Sequence, residues 1–377
     1  MKKSILFIIP SLQYGGAEML LLQQVKWLKD NGWQCFVAIL SDKNEASLIK
    51  LLALSPEQLI IFQSNHSVLN SAALSFAWRH QQQLTGFTRK NNIKNIVAHL
   101  PLAHFWGRLV KRKMPVVKLV VYHHSMQYDA SPLDSAPKKI FNWLQKILAK
   151  KTDDISVCIS ESVKENIASH FVVKNPVVLY NAVPDRGPLR SKNSVGEPGK
   201  NLKLILPGRL HPAKGHLFFL EVFKRIVKEL NQPVNLEIAG GGNLQEKIEE
   251  FTNKHQLQQY VSITGFLSND DLLSRIADAD LVIIPSISEG LGIVGIEALM
   301  LGKTVIASNT GGLKEVFKDG QNGYVFEAGN PESCLNVVLS VLSKFPTSQL
   351  DPAYLREEYE KRFSFNSYIK KFEALLT

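Results

Sequence analysis

The sequence predicts two doubly wound α/β domains joined by a linker, on three observations. Short apolar runs alternate with helical patterns from the first residues onward. That alternation stops once, at Pro184–Lys200, where three prolines and three glycines lie among almost no apolar residues, and then starts again. The length of 377 residues also exceeds what one ordinary hydrophobic core spans.

The elements follow in order. Ile5–Ile9 reads as a buried first strand; it is too short and too soon broken by Pro10 for a secretory leader. Glu18–Asn31 reads as a helix with Leu21, Leu22, Val25, Trp27 and Leu28 on its apolar side. Cys35–Leu40, Ile93–Ala98, Val116–Tyr122, Ile155–Ile159 and Val177–Leu179 read as the remaining strands of the first half. After the linker come strands at Lys203–Leu206, Asn235–Ala239, Val261–Thr264, Leu281–Ile284 and Thr304–Ala307, with helices such as Leu217–Leu230 and Gly242–Lys254 between them. Pro352–Leu376 reads as one amphipathic helix that crosses back to the first domain. Two such sheets face each other across a cleft.

Composition narrows the class. A hydrophobic content of 45% belongs to a globular chain, and no run is long enough to span a bilayer. The three cysteines, Cys35, Cys158 and Cys334, are widely spaced and odd in number, which suits a reduced, cytoplasmic setting. The net charge of +10 is unevenly held. Residues 1–200 carry 26 Lys+Arg against 13 Asp+Glu, a net of +13; residues 201–377 carry 18 against 21, a net of −3. The basic first half, with Lys111-Arg112-Lys113 as a candidate contact, suits an anionic membrane surface. No basic stripe interleaved with aromatics supports nucleic-acid binding.

Four glycine-bearing turns follow predicted strands, on the edge where open α/β sheets bind ligands. Gly15-Gly16-Ala17-Glu18 opens a helix, and Gly16 lets a phosphate or an acceptor reach the backbone. In the run from Gly208 to Gly215, Arg209 and Lys214 bring two cations suited to a diphosphate. In Pro285–Leu299, Glu289 lies in a strand-to-helix turn and Glu297 about one turn into the helix; Gly290, Leu291, Gly292 and Ile293 aim backbone donors at an anion. Two acids beside such a helix start suit a sugar and a nucleotide respectively. Ser308–Leu313 is the fourth turn.

In order, the chain presents GGAE, GRLHPAKG, GGG at Gly240–Gly242, EGLGIVGIEAL, NTGG and DGQNGYVF. Over nearly its whole length it resembles the retaining glycosyltransferases of family 4, with two Rossmann-like domains in the GT-B architecture. The resemblance implies an acceptor-side domain over 1–184 completed by a C-terminal helix at 360–377, a linker at 185–200, and a nucleotide-sugar-binding domain over 201–359. It implies catalytic roles for Glu289, Arg209, Lys214 and a histidine of the His123-His124 pair, with His124 favoured. Donor binding falls to Gly16, Gly208, Gly290, Leu291, Gly292, Ile293 and Glu297. Tyr180–Pro184 matches the family's N-G-V stretch with Ala182 where glycine is usual.

The resemblance further implies transfer with retention of configuration from a UDP- or GDP-linked sugar to a hydroxyl. The expected acceptor is a lipid-linked glycan used in cell-surface polysaccharide synthesis, handled at the inner face of the cytoplasmic membrane. No metal and no cofactor beyond the nucleotide sugar is expected. A nucleotide-sugar epimerase of the same fold and a non-catalytic nucleotide-sugar-binding subunit are the alternatives.

Overall fold

The computed structural model describes residues 3–63, 71–126, 135–171, 173–187 and 201–377. It divides into two compact units, residues 1–181 with 368–377, and residues 182–367. From residue 188 on, the expected linker lies outside the described residues.

The first unit holds β1 (Ser4–Ile9), α1 (Gly16–Asp30), β2 (Gln34–Ile39), α2 (Ala46–Leu51), β3 (Leu59–Ile61), α3 (Ser71–Lys90), β4 (Asn95–His99), α4 (Pro101–Lys113), β5 (Lys118–His123), α5 (Ala136–Thr152), β6 (Ile155–Cys158), α6 (Glu161–Ala168) and β7 (Pro176–Val178). Its sheet runs β3-β2-β1-β4-β5-β6-β7, with every neighbouring pair parallel. Strands covered on both faces are predominantly apolar, and β1 and β4 are buried throughout, with Ser4, Asn95 and His99 as their polar positions. The order reverses between β1 and β4, which places the topological switch point at the ends of those two strands.

The second unit holds β8 (Leu202–Pro207), α7 (His216–Glu229), β9 (Val234–Ala239), α8 (Gln245–Lys254), β10 (Val261–Gly265), α9 (Asn269–Asp278), β11 (Leu281–Ile284), α10 (Ile293–Met300), β12 (Val305–Ser308), α11 (Leu313–Val316), β13 (Tyr324–Phe326), α12 (Pro331–Ser343) and α13 (Pro352–Phe363). Its parallel sheet runs β10-β9-β8-β11-β12-β13, so its switch point lies between β8 and β11. Leu204, Leu206, Phe219, Phe223, Leu236, Ile283 and Val338 form the core between this sheet and its helices. The DGQNGYVF segment builds the edge strand β13. Asp319 Oδ1 accepts from Val325 N at 2.9 Å, and Asn322 Nδ2 donates to the Val316 carbonyl at 2.9 Å.

The C-terminal segment departs from the expected single helix. After α13, Ser364 is extended and forms a bridge with Val183 before α14 (Phe365–Ala374) begins. Tyr368, Ile369 and Phe372 of α14 are buried. Phe372 packs against Phe7, Tyr368 shares a 3.0 Å hydroxyl hydrogen bond with Tyr122, and Gln24 Nε2 donates to the Tyr368 hydroxyl at 2.5 Å. Glu373 accepts from Trp33 Nε1 at 3.0 Å and Lys3 Nζ at 3.1 Å. The last ten residues thus belong to the first unit's core.

All three cysteines are free and buried, and burial pushes each thiol up to about 12. No helix among the described residues is long and apolar enough to cross a membrane.

Candidate active site

The second unit's switch point brings two of the predicted loops together. The loop after β8 passes Gly208, Arg209 and a 3-10 turn at Pro212–Lys214 before α7 starts. His211 Nδ1 accepts from the Ala213 N–H at 3.2 Å and caps that turn. Gly215 follows at φ 71°, and a Cβ there would lie 1.9 Å from the Pro285 carbonyl oxygen. Only glycine lets this loop press against the loop after β11. The Ala213 carbonyl in turn accepts from Ile287 N at 2.8 Å.

This contact delivers Lys214 to Glu289. Lys214 Nζ lies 2.5 Å from Glu289 Oε2, and Ser286 Oγ donates to the same oxygen at 3.2 Å. The Glu289 carboxylate is mostly buried, at 13% side-chain exposure, and Lys214 half-buried, at 32%. The fourth glycine turn supports this loop from below. Gly312 N donates to the Glu289 carbonyl at 3.0 Å, and a Cβ on Gly311 would meet that carbonyl oxygen at 1.8 Å. Thr310 Oγ1 donates to the Ile287 carbonyl, and Ser308 Oγ to that of Ser286.

Gly290, Leu291 and Gly292 lead into α10, whose start at Ile293 leaves backbone N–H groups without helical partners. Leu291 itself is buried, with 1% of its surface exposed. Arg209, by contrast, is exposed. The structure brings Lys214, Glu289 and Ser286 into one bonded group and does not bring Arg209 into it. Ser286 had no signal in the sequence, since a serine between a strand and a glycine turn is ordinary loop chemistry. His216 was equally silent. It lies buried at the start of α7, where burial and then the Lys214 charge lower its pKa to about 4.

Glu297 sits on the buried side of α10, with 6% of its surface exposed. Burial raises its pKa to about 7, against the opposing pull of Arg186. The sign follows from linkage. Between the ordinary carboxyl value of 4.5 and about 7, the folded chain keeps a proton that the unfolded chain has lost. This group therefore costs stability as pH rises through that window, and costs most above it. Glu297→Gln is expected to be more stable than the parent by about 1–2 kcal/mol at pH 8 and to lose that advantage near pH 4.5. Urea melts at the two pH values check this; an equal difference at both would contradict it.

In the first unit, Gly16 is exposed at the start of α1, with Gly15 as its N-cap. His123 ends β5 and faces His104 edge-on, while His104 Nε2 donates to the Tyr122 carbonyl at 3.0 Å. His124 stacks on His99 and Tyr122, and its Nε2 shares a 2.8 Å hydrogen bond with His99 Nδ1. Burial lowers both His123 and His124 to about 3, so both rings are neutral near pH 7. The doublet is thereby told apart: His123 packs with α4, and His124 pairs with the end of β4. His99 was missed because a histidine closing an apolar strand reads as core.

These two units, each with a parallel sheet and a switch point, and with glycine turns following β1, β8 and β11, define the two-domain GT-B architecture. The chain belongs to the group 1, family 4 glycosyltransferases. Residues 14–186 match the family described as Glycosyltransferase Family 4, and residues 189–352 match Glycosyl transferases group 1. Uncharacterized glycosyltransferase MJ1178 of Methanocaldococcus jannaschii is 29% identical over 238 residues, 63% of this chain and 62% of that protein. The chain thus spans slightly under two thirds of that relative. The UDP-Gal:alpha-D-GlcNAc-diphosphoundecaprenol alpha-1,3-galactosyltransferase of Escherichia coli is 24% identical over 265 residues, 67% of each chain. The crystal structure of Anabaena Alr3699/HepE in complex with UDP and glucose superposes with a TM-score of 0.79 over 99% of both chains at 19% identity, a likeness of fold.

Proposed function

We propose that the protein is a retaining glycosyltransferase that moves a sugar from a nucleoside diphosphate sugar to a hydroxyl of a lipid-linked glycan. The Lys214–Glu289 pair at the β8/β11 switch point carries this reading. A cation and a carboxylate in contact, beside the free N–H groups of a helix start, match a donor whose two ends differ in charge. The diphosphate takes Lys214 and the α10 start, and the sugar takes Glu289. Arg209, exposed on the same loop as Lys214, adds charge to the outer phosphate. Glu297, one helical turn further, accepts from the ribose hydroxyls. In the first unit, Gly16 is the donor-phosphate candidate and His124 the sugar-facing one. The similar proteins support the reading: one is a UDP-Gal:alpha-D-GlcNAc-diphosphoundecaprenol alpha-1,3-galactosyltransferase, and one structure holds UDP and glucose.

Chemistry on this site is leaving-group stabilisation. As the anomeric C–O bond breaks, negative charge grows on the diphosphate, which Lys214, drawn from Glu289, and the α10 N–H groups stabilise. The acceptor oxygen bonds to the anomeric carbon on the face the diphosphate leaves, and its proton passes to the departing phosphate oxygen. Glu289 steadies positive charge on the sugar ring. Incubation with UDP- and GDP-sugars and a polyprenyl diphosphate glycan, followed by NMR of the product, tests this. The α-anomer from an α-donor is expected; an inverted product, or an epimerised sugar nucleotide formed without acceptor, would overturn it.

Lysine, arginine and a helix start can carry the diphosphate charge that Mg²⁺ carries in other sites. Turnover is therefore expected to persist in excess EDTA. Loss of most activity to the chelator, restored by Mg²⁺, would refute that.

A further inference from the structure

Helix α5 is built inside out. Its inner face against α4 is polar: Asn142, Gln145 and Thr152 are buried there, with Ala149. The cause is Arg108 of α4, which is 1% exposed and must find acceptors. Asp153 meets it with two hydrogen bonds at 2.7 and 2.6 Å, and Gln145 Oε1 accepts a third from it. Gln145 Nε2 then donates to the Pro101 carbonyl at 2.7 Å. With polar groups drawn inward, the apolar stripe of α5 points outward. Ile140, Trp143, Leu144 and Ile147 fall at i, i+3, i+4 and i+7, and they are 55%, 59%, 38% and 41% exposed. Four large apolar residues on one exposed helical stripe make a patch that a monomer in water has reason to cover.

Charge decides what covers it. Helix α5 carries five lysines and no acidic residue. At helical spacing, Lys139, Lys146 and Lys150 border one side of the stripe, and Lys151 lies beyond its end. A second copy docking by the same face would set these lysines against one another. An anionic bilayer offers acyl chains to the stripe and headgroup charge to the lysines, and Trp143 is a side chain suited to that boundary. Lys111, in the cluster singled out from the sequence, is instead held within the unit: its ammonium donates to Asp154 at 2.8 Å and to the carbonyls of Pro115 and Val117.

We infer that the outward stripe of α5, with Lys139, Lys146 and Lys150, seats the protein on an anionic lipid surface. The inference extends the proposed use of a lipid-linked acceptor: α5 follows β5, so its first turns lie toward the carboxyl edge of the sheet, where ligands bind. Its test requires neither donor nor acceptor. The full chain is floated with phosphatidylcholine vesicles with and without phosphatidylglycerol, at low and high salt. Binding is expected only with phosphatidylglycerol, weakened by salt, with a blue shift of tryptophan emission. Trp143→Ser with Ile147→Ser should lower partitioning about tenfold or more, and Lys139→Gln with Lys150→Gln about tenfold. Both variants should keep the parent's UDP affinity, which reports the second unit's fold and stands whether or not vesicles bind. Equal partitioning of the variants and parent, equal binding to both vesicle types, or no binding at all would overturn the inference. So would a dimer in sedimentation equilibrium that the Trp143 and Ile147 substitutions dissolve.

Discussion

Glu289→Gln is expected to lower kcat about 10²–10³-fold while leaving donor affinity unchanged or tighter. The two effects come from one contact. The carboxylate holds Lys214 Nζ at 2.5 Å, so a diphosphate must draw that ammonium away from Glu289. The amide keeps the shape and the Ser286 contact but not the charge, and so it releases Lys214 to the phosphates. What it cannot do is steady positive charge on the sugar ring as the glycosidic bond breaks. A rate loss with no loss of donor binding is therefore the signature of a group acting in the transition state. The loop itself should persist, because it is held through backbone: the Glu289 carbonyl accepts from Gly312 N, and Ile287 N donates to the Ala213 carbonyl. Steady-state kinetics beside calorimetric titration with UDP measures both quantities. A kcat within a few-fold of the parent's would show that Glu289 does not face the reacting sugar.

How much of this could be read from residues alone depends on where the physical cause lies. Leu281–Ile284 and Ile5–Ile9 were legible because a parallel strand covered on both faces is predominantly apolar. The edge strands Leu59–Ile61 and Tyr324–Phe326 were less legible: each is apolar but only three residues long. The break at Ser364 was hidden because the apolar period continues across it, and only the Val183 bridge shows that the two halves pack differently. In the site, Lys214 and Glu289 were each visible in a glycine-bearing motif, but their bond was not. It depends on Gly215 closing onto the Pro285 carbonyl, a contact between residues far apart in sequence. The NTGG turn likewise read as a fourth ligand loop, whereas here its glycines also form the floor beneath Glu289. The outward stripe of α5 has the same spacing as a core-facing helix. Arg108 and Asp153, buried together, invert it, and no local period reports a buried charge on a neighbouring helix.

Lys214→Ala is expected to lower both UDP affinity and kcat, with kcat/KM falling about 10²–10³-fold or more. The ammonium is the one predicted cation that the fold fixes in place: the His211 cap, Pro212 and the left-handed Gly215 set the turn that carries it. Arg209 is exposed and must be ordered by the ligand itself, so Arg209→Ala should cost less, about tenfold, and chiefly in KM. Lys214 and Glu289 also act as a unit. The Lys214→Ala, Glu289→Gln double variant should lose less than the two single losses multiplied, because removing Lys214 already forfeits the diphosphate on which sugar departure depends. His216 reports whether the turn survived. Its pKa of about 4 owes its second cause to the Lys214 charge, so in a folded Lys214→Ala it should move up while remaining below 6.5, as burial still dominates. An NMR titration of the His216 ring therefore separates a lost cation from a lost loop. Unchanged UDP affinity in a variant whose His216 has shifted in this way would place the diphosphate elsewhere and remove Lys214 from the site.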